Sequence, residues 1–195
     1  MLEPLLEEAK NGKRDVYFVD AAHFVWAGFV GFLWCFKRLW FSSPSGRQRF
    51  NILGALNAMN LQVTTVCNCD YINSWSVVEL MFKLRQKSIG SGRSVSIIVD
   101  NAPYQACWFV RNAAKLMSIN LVFLPPYSPN LNLIERLWKF VRKKCCSAAS
   151  YGSFKEFSNA LQTCVENCHR DYVEELSTLM SWNFQTLPKS DKLAA

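Results

Sequence analysis

The chain has 195 residues, half of them apolar and 19% charged, which excludes a solvated, disordered polymer and fits one globular domain able to bury a core. Lys plus Arg number 22 against 15 for Asp plus Glu, a net charge of +7, which favours an acidic partner, of which nucleic acid is the commonest. Eight cysteines come without a basic, apolar leader in the opening MLEPLLEEAK, so a reduced, cytoplasmic setting is expected rather than a disulfide framework.

After an acidic, helix-compatible start, VYFVD (16–20) is a short β-rich run ending in a carboxylate, as expected of a strand buried on both faces, and it puts Asp20 at a strand end. The apolar stretch FVWAGFVGFLWCF (24–36) is too short for the roughly 20 residues of a membrane-spanning helix and reads as core. RFNILGALN (49–57) and LQVTTVCN (61–68) suggest an antiparallel hairpin. From Asn73, apolar residues recur at helical spacing, with Ser74 as cap and Glu79 and Lys83 as a supporting pair.

SVSIIVD (94–100) repeats the opening pattern of a β-branched run that ends in aspartate. A helix is predicted over Tyr104 to Met117, with Ala106, Phe109, Val110, Ala113 and Leu116 on its buried stripe, and LVFL (121–124) is a further strand. This alternation argues for parallel pairing with helices packed on the sheet, and the early hairpin makes the sheet mixed. A helix is expected to start at Ser128–Pro129 and run toward Lys144. Two more follow, opened by capping-box patterns at Ser153 with Glu156 and at Asp171 with Glu174, and the tail after Leu187 looks frayed.

The cysteines at 67 and 69, 145 and 146, and 164 and 168 do not form two separated C-x-x-C knuckles, so they read as small buried hydrophobes rather than zinc ligands. Asp20, Asp100 and Glu135 carry more chemistry. In open α/β sheets, sites form at the carboxyl ends of strands, and two of the runs end in aspartate. Three carboxylates brought together raise one another's pKa and want a cation; hard oxygen ligands suit Mg²⁺ or Mn²⁺. Two such ions would serve phosphodiester chemistry without a serine or histidine nucleophile.

VDAAHF around Asp20, VDNAPYQ around Asp100 and LPPYSPNLNLIERLW around Glu135 resemble the three catalytic motifs of DDE transposases, specifically the bacterial insertion-sequence group related to mariner elements. The 34 residues between Asp100 and Glu135 match a spacing of that superfamily. The resemblance covers about residues 14–170 and implies an α/β, ribonuclease H-like fold: a mixed five-stranded sheet with helices on both faces, forming one catalytic domain. It also implies that Asp20, Asp100 and Glu135 ligate two Mg²⁺ or Mn²⁺ ions for hydrolysis at transposon ends and strand transfer to target DNA.

Members of that group usually carry helix-turn-helix domains ahead of the first motif, and the residues before VYFVD are too few to hold one. The second reading is therefore a non-catalytic remnant that binds DNA or a full-length transposase. Expected partners are DNA, a second copy of the chain, and a separate DNA-binding subunit or full-length transposase, in a cytoplasmic, nucleoid-associated setting. Asn101, Arg136, Lys139, Arg142 and Lys143 are candidate substrate contacts, the last four forming a basic flank on the third-motif helix. His23 is expected to be a packed polar side chain, Gln105 is given no role, and Trp34, Trp40 and Trp138 read as core. A one-residue insertion between Pro129 and Glu135 is expected to abolish cleavage while leaving the fold largely intact.

Overall fold

The computed structural model describes residues 2–26, 36–37, 48–125, 128–147 and 149–182; Trp34, Trp40, Arg47, Pro126, most of the 24–36 run and the tail after Leu187 lie outside them. Strands β1 (Arg14–Trp26), β2 (Gln48–Asn57), β3 (Val63–Asn68), β4 (Ser94–Val99) and β5 (Ile119–Phe123) form one sheet in the order β3-β2-β1-β4-β5. The β1–β2–β3 part is antiparallel, whereas β4 and β5 add in parallel, so the expected mixed five-stranded sheet is found.

Strand β1 is longer than VYFVD suggests and decides where chemistry can sit. Its register with β4 ends at Phe18 opposite Ile98, yet its pairing with β2 continues from Asp20 opposite Gly54 to Trp26 opposite Gln48. Asp20 is thus inside a strand rather than at its end, two residues beyond the point where β1 loses its β4 neighbour. The extension is built from AAHFVW, whose Ala22 and Phe24 are buried on the same side as Phe18, the period of two expected of a strand.

Helices cover both faces. One face receives α2 (Ser74–Ser88) and α4 (Trp108–Leu116) over Val19, Leu53, Ala55, Ile97 and Val99. The opposite face receives α1 (Leu2–Lys10), α5 (Ile134–Cys145), α6 (Phe154–Asp171) and α7 (Val173–Leu179) over Val16, Phe18, Ala22 and Ile98. In α1 the buried residues Leu2, Leu6 and Ala9 fall at the i, i+4, i+7 spacing of an apolar stripe. Gly12, at φ +68°, then turns the chain into β1 while Asn11, Gly12 and Lys13 donate to the last carbonyls of the helix.

Several helix boundaries differ from expectation, each for a local reason. Asn73 rather than Ser74 caps α2: its side chain accepts from the Trp75 and Ser76 amides, and Ser76 Oγ accepts from the Asn73 amide; Glu79 pairs with Lys83 at 2.9 Å as expected. The helix expected over 104–117 is two, α3 (Pro103–Ala106) and α4, broken at Cys107, whose ψ of 159° is extended. Within α4, Val110 and Ala113 are buried as predicted, but Leu116, at the last position of the helix, is exposed, contrary to its place on the predicted stripe. The third-motif helix starts at Ile134, not Pro129, because residues 129–131 form a 3-10 turn closed by Leu131 donating to the Ser128 carbonyl. Ser153 caps α6 as predicted, but α6 runs on through Asp171, and α7 begins after Tyr172 without a side-chain cap.

Candidate active site

The site grows from the fork between β1 and β4. Asp20 lies just past it on β1, and Asp100 directly follows β4. Beyond Asp100, Oδ1 of its carboxylate accepts from the Ala102 amide at 3.3 Å, and the Asn101 amide donates to the Leu124 carbonyl at 2.7 Å. Asn101 therefore fastens the turn after β4 to the chain leaving β5. The neighbouring Tyr104 hydroxyl is pushed up to about 12, by burial first and then by Asp100 and Asp20, so it stays a neutral hydrogen-bonding group beside both acids.

Glu135 is supplied by the first turn of α5, and the same segment grips β1 on either side of it. Asn132, nearly fully buried, donates through Nδ2 to the Val19 carbonyl at 3.2 Å, while Trp138 donates through Nε1 to Asp20 Oδ2 at 3.1 Å. Asn132 lies three positions before Glu135 and Trp138 three positions after it, so the two anchors bracket the glutamate. The indole reaches Asp20 because Gly54, opposite Asp20 on β2, has no side chain: a Cβ there would lie 2.7 Å from Trp138 Cη2. Leu133, Leu137 and Val141, fully withdrawn from water, hold the rest of α5 to the sheet, each contributing roughly 1.5–3 kcal/mol.

Burial, then Glu135, then Asp100, push the Asp20 carboxyl up to about 7, while the Ala21 amide and the Trp138 indole pull the other way. The three predicted acids therefore share one electrostatic neighbourhood. Among the described residues, no three Asp, Glu, His or Cys side chains stand close enough together to form a ready metal cage. The donor chemistry nevertheless fits a hard divalent cation: three carboxylates, with Asp100 exposed and Asp20 and Glu135 partly so, Asp20 destabilised as an anion by desolvation and its acidic neighbours.

The remaining predicted residues separate clearly. Lys139, Arg142 and Lys143 are exposed on α5, with the Arg142 guanidinium over the Phe24 ring at 5.4 Å. Arg136 instead donates to the Leu179 and Ser181 carbonyls at 3.0 and 2.7 Å, tying α5 to the end of α7. His23 is on the opposite face of β1 from Asp20 and bonds Asn51 Oδ1 at 2.7 Å. Gln105, wholly buried, holds the Tyr104 hydroxyl at 3.3 Å and leaves its own Oε1 without a hydrogen bond. Trp138 is core, as expected, but also a partner of Asp20. Neither that bond, nor the Asn132 contact, nor the role of Gly54 had a local signal, because each joins residues far apart in the chain.

A mixed sheet of this order, with helices on both faces, is a ribonuclease H-like fold. Residues 15–158 match the model of the DDE superfamily endonucleases, and the chain belongs to that family. Solved structures agree on the fold. A Mos1 transposase paired-end complex with the left transposon end has a TM-score of 0.57 at 11% identity, over 94% of this chain and 61% of that one. A Mos1 mariner paired-end complex with Mn gives 0.58 at 11% identity, over 95% and 61%. The catalytic core of BIV integrase gives 0.51 at 15% identity, over 82% and 85%. Among curated proteins, the uncharacterized protein y4pE/y4sA of Sinorhizobium fredii is 34% identical over 79 residues, 40% of this chain and 53% of that protein. The chain thus spans about half the length of that relative and about three fifths of the Mos1 transposase chains.

Proposed function

We propose that this chain is the catalytic domain of a transposase, performing divalent-metal-dependent hydrolysis of DNA phosphodiesters at transposon ends and transfer of the freed 3′-hydroxyl to target DNA. The observation that carries the reading is the convergence on Asp20: a half-buried carboxylate gripped by Trp138 and raised toward neutrality by desolvation, Glu135 and Asp100. Asp20, Asp100 and Glu135 would hold the cation, Mg²⁺ or Mn²⁺ and in the full form two ions, which would supply Lewis-acid activation of the attacking oxygen and stabilisation of the leaving one.

The chain's own residues do the rest. Asn132 and Trp138 set the reach of Glu135 from Asp20, and Asn101 sets the direction in which Asp100 leaves β4. Tyr104, neutral and next to both aspartates, offers a donor to a phosphate oxygen. Lys139, Arg142 and Lys143 lie on the helix that carries Glu135 and are suited to the DNA backbone rather than to bases. A single domain working as a homodimer, with end recognition supplied by further DNA-binding segments or a separate subunit, and a cytoplasmic, nucleoid-associated location complete the reading.

The test is incubation with DNA bearing transposon ends and Mg²⁺ or Mn²⁺. Nicking by the wild type, lost in Asp100→Asn and Glu135→Gln, supports the assignment; equal nicking by all three proteins overturns it. Tight, metal-independent DNA binding with no cleavage under either ion would favour the non-catalytic alternative.

A further inference from the structure

The outer surface of α2 and α4, on the face of the sheet away from α5, is unusually apolar for a surface. Trp75 and Phe82 on α2 and Ile89, the residue that ends it, recur at seven-residue spacing, and all three are exposed. Beside them on α4, Trp108 and Leu116 are 77% and 88% exposed. The two stripes are continuous: the Trp75 ring packs on Phe109 with centroids 4.6 Å apart, and Met117 lines the same groove as Trp75 and Phe82. That groove, about 600 Å³, also has the exposed Tyr71 at its rim.

A large aromatic side chain carries about 150–250 Å². Six residues this exposed therefore present on the order of 700–800 Å², more than the ~300–600 Å² of the largest patch on a typical monomer. The figure is close to the ~800 Å² that each partner contributes to a standard protein interface.

We propose that this face is where two copies of the chain pair, α2 and α4 of one protomer against the same helices of its partner. The area suits a two-fold interface, which uses the same patch twice. A groove next to protruding tryptophans supplies both halves of such a contact. Neighbouring cations turn elsewhere: Lys83 and Lys87 bond Thr65 O and Thr64 Oγ1 on β3, and Arg111 lies on the Phe123 ring, leaving Arg85 and Lys115. A nucleic-acid surface of this size would need a denser row of cations aimed outward. Pairing here also leaves Asp20, Glu135 and the basic side of α5 open on the opposite face in both protomers.

The inference deepens the dimeric reading above, and its test does not depend on catalysis. Sedimentation of the whole chain over a wide concentration range should show a monomer–dimer equilibrium. Leu116→Lys and Phe82→Glu should each weaken pairing by about tenfold or more, as expected at an interface centre, with unchanged circular dichroism and thermal unfolding. Leu116, which lies outside the buried core, guards against a merely misfolded variant. A wild type that is monomeric throughout, or a dimer indifferent to both substitutions, overturns the proposal. So does a loss of DNA binding in the variants with assembly unchanged, which would make the patch a base-stacking surface. Metal-dependent nicking, measured alongside, reports separately on the catalytic reading.

Discussion

Asp20 is costly to the free protein in a way that can be measured. Its carboxyl is raised from 3.8 to about 7, so between those values the folded state holds a proton that the unfolded state has lost. Stability therefore falls as pH rises through that window, the sign expected of an acid with a raised pKa. The full shift corresponds to about 4 kcal/mol as an upper bound. In metal-free protein at pH 8, Asp20→Asn should raise Tm by several degrees and flatten its pH dependence between pH 4 and 7. Adding Mn²⁺ should stabilise the wild type at pH 8 and leave the variant nearly unmoved. Calorimetry across pH checks both, and a variant no more stable than the wild type at pH 8 removes the electrostatic account.

Gly54 and Trp138 form a second residue-scale test. Gly54→Ala puts a Cβ 2.7 Å from the indole and should cost roughly 1–3 kcal/mol of overpacking. It should also lower cleavage by displacing the donor to Asp20. The smaller ring of Trp138→Phe should recover part of the stability in the double variant, though not the activity, because the indole N–H is gone; denaturant melts over the full cycle measure the coupling. None of this was legible in the chain. The glycine reads as a weak point in a strand, and its partner lies 84 residues away.

At the scale of elements, the strands were the most legible, because β-branched runs such as VSIIV declare themselves without tertiary help. The ends of elements were not. No glycine or proline marks the break at Cys107, and the backbone there follows its surroundings rather than local propensity. The extension of β1 past Asp20 depends on β2 lying alongside, which AAHFVW alone does not reveal. The helix start matters most for prediction. Because α5 begins at Ile134 and buries Leu137, Trp138, Phe140 and Val141, one extra residue between Asn132 and Leu133 turns every one of them by about 100°. The insertion should then cost several kcal/mol and unfold the chain at moderate temperature, so it cannot leave the fold intact as the motif alone suggested. Glu135→Gln is the cleaner probe: Tm within a degree or two of wild type by circular dichroism, and cleavage lost.

Among the described residues, the cations beside Glu135 and the aromatic surface of α2 and α4 lie on opposite sides of the sheet. The exposed cations of α5 are on the side of Glu135, whereas the aromatic face of α2 and α4 is behind it. DNA affinity should therefore fall steeply with salt, and Lys139→Ala and Lys143→Ala should each reduce the slope of log K against log salt by about 1 if each meets one phosphate. An unchanged slope in the double variant would place the DNA path elsewhere. Net charge pointed to an acidic partner from composition alone, but which of the cations stand beside Glu135 needed the fold.

The fork at Phe18 puts the acids on two branches of one sheet. Asp20 rides on the antiparallel ribbon of β1, β2 and β3, whereas Asp100 rides on the parallel pair of β4 and β5, and past the fork the Asn132 amide at the Val19 carbonyl stands where a neighbouring strand would otherwise continue. The gap between the two aspartates is then an aperture whose width depends on ribbon twist, a property more variable in narrow ribbons than in wide sheets. A ligand bridging both acids would act as a clasp across it. Hydrogen exchange should record that closing as slower amide exchange at Val19–Ala22 and at Asn101–Ala102 together, and substitutions in the β2–β3 hairpin should shift the exchange of the first segment alone.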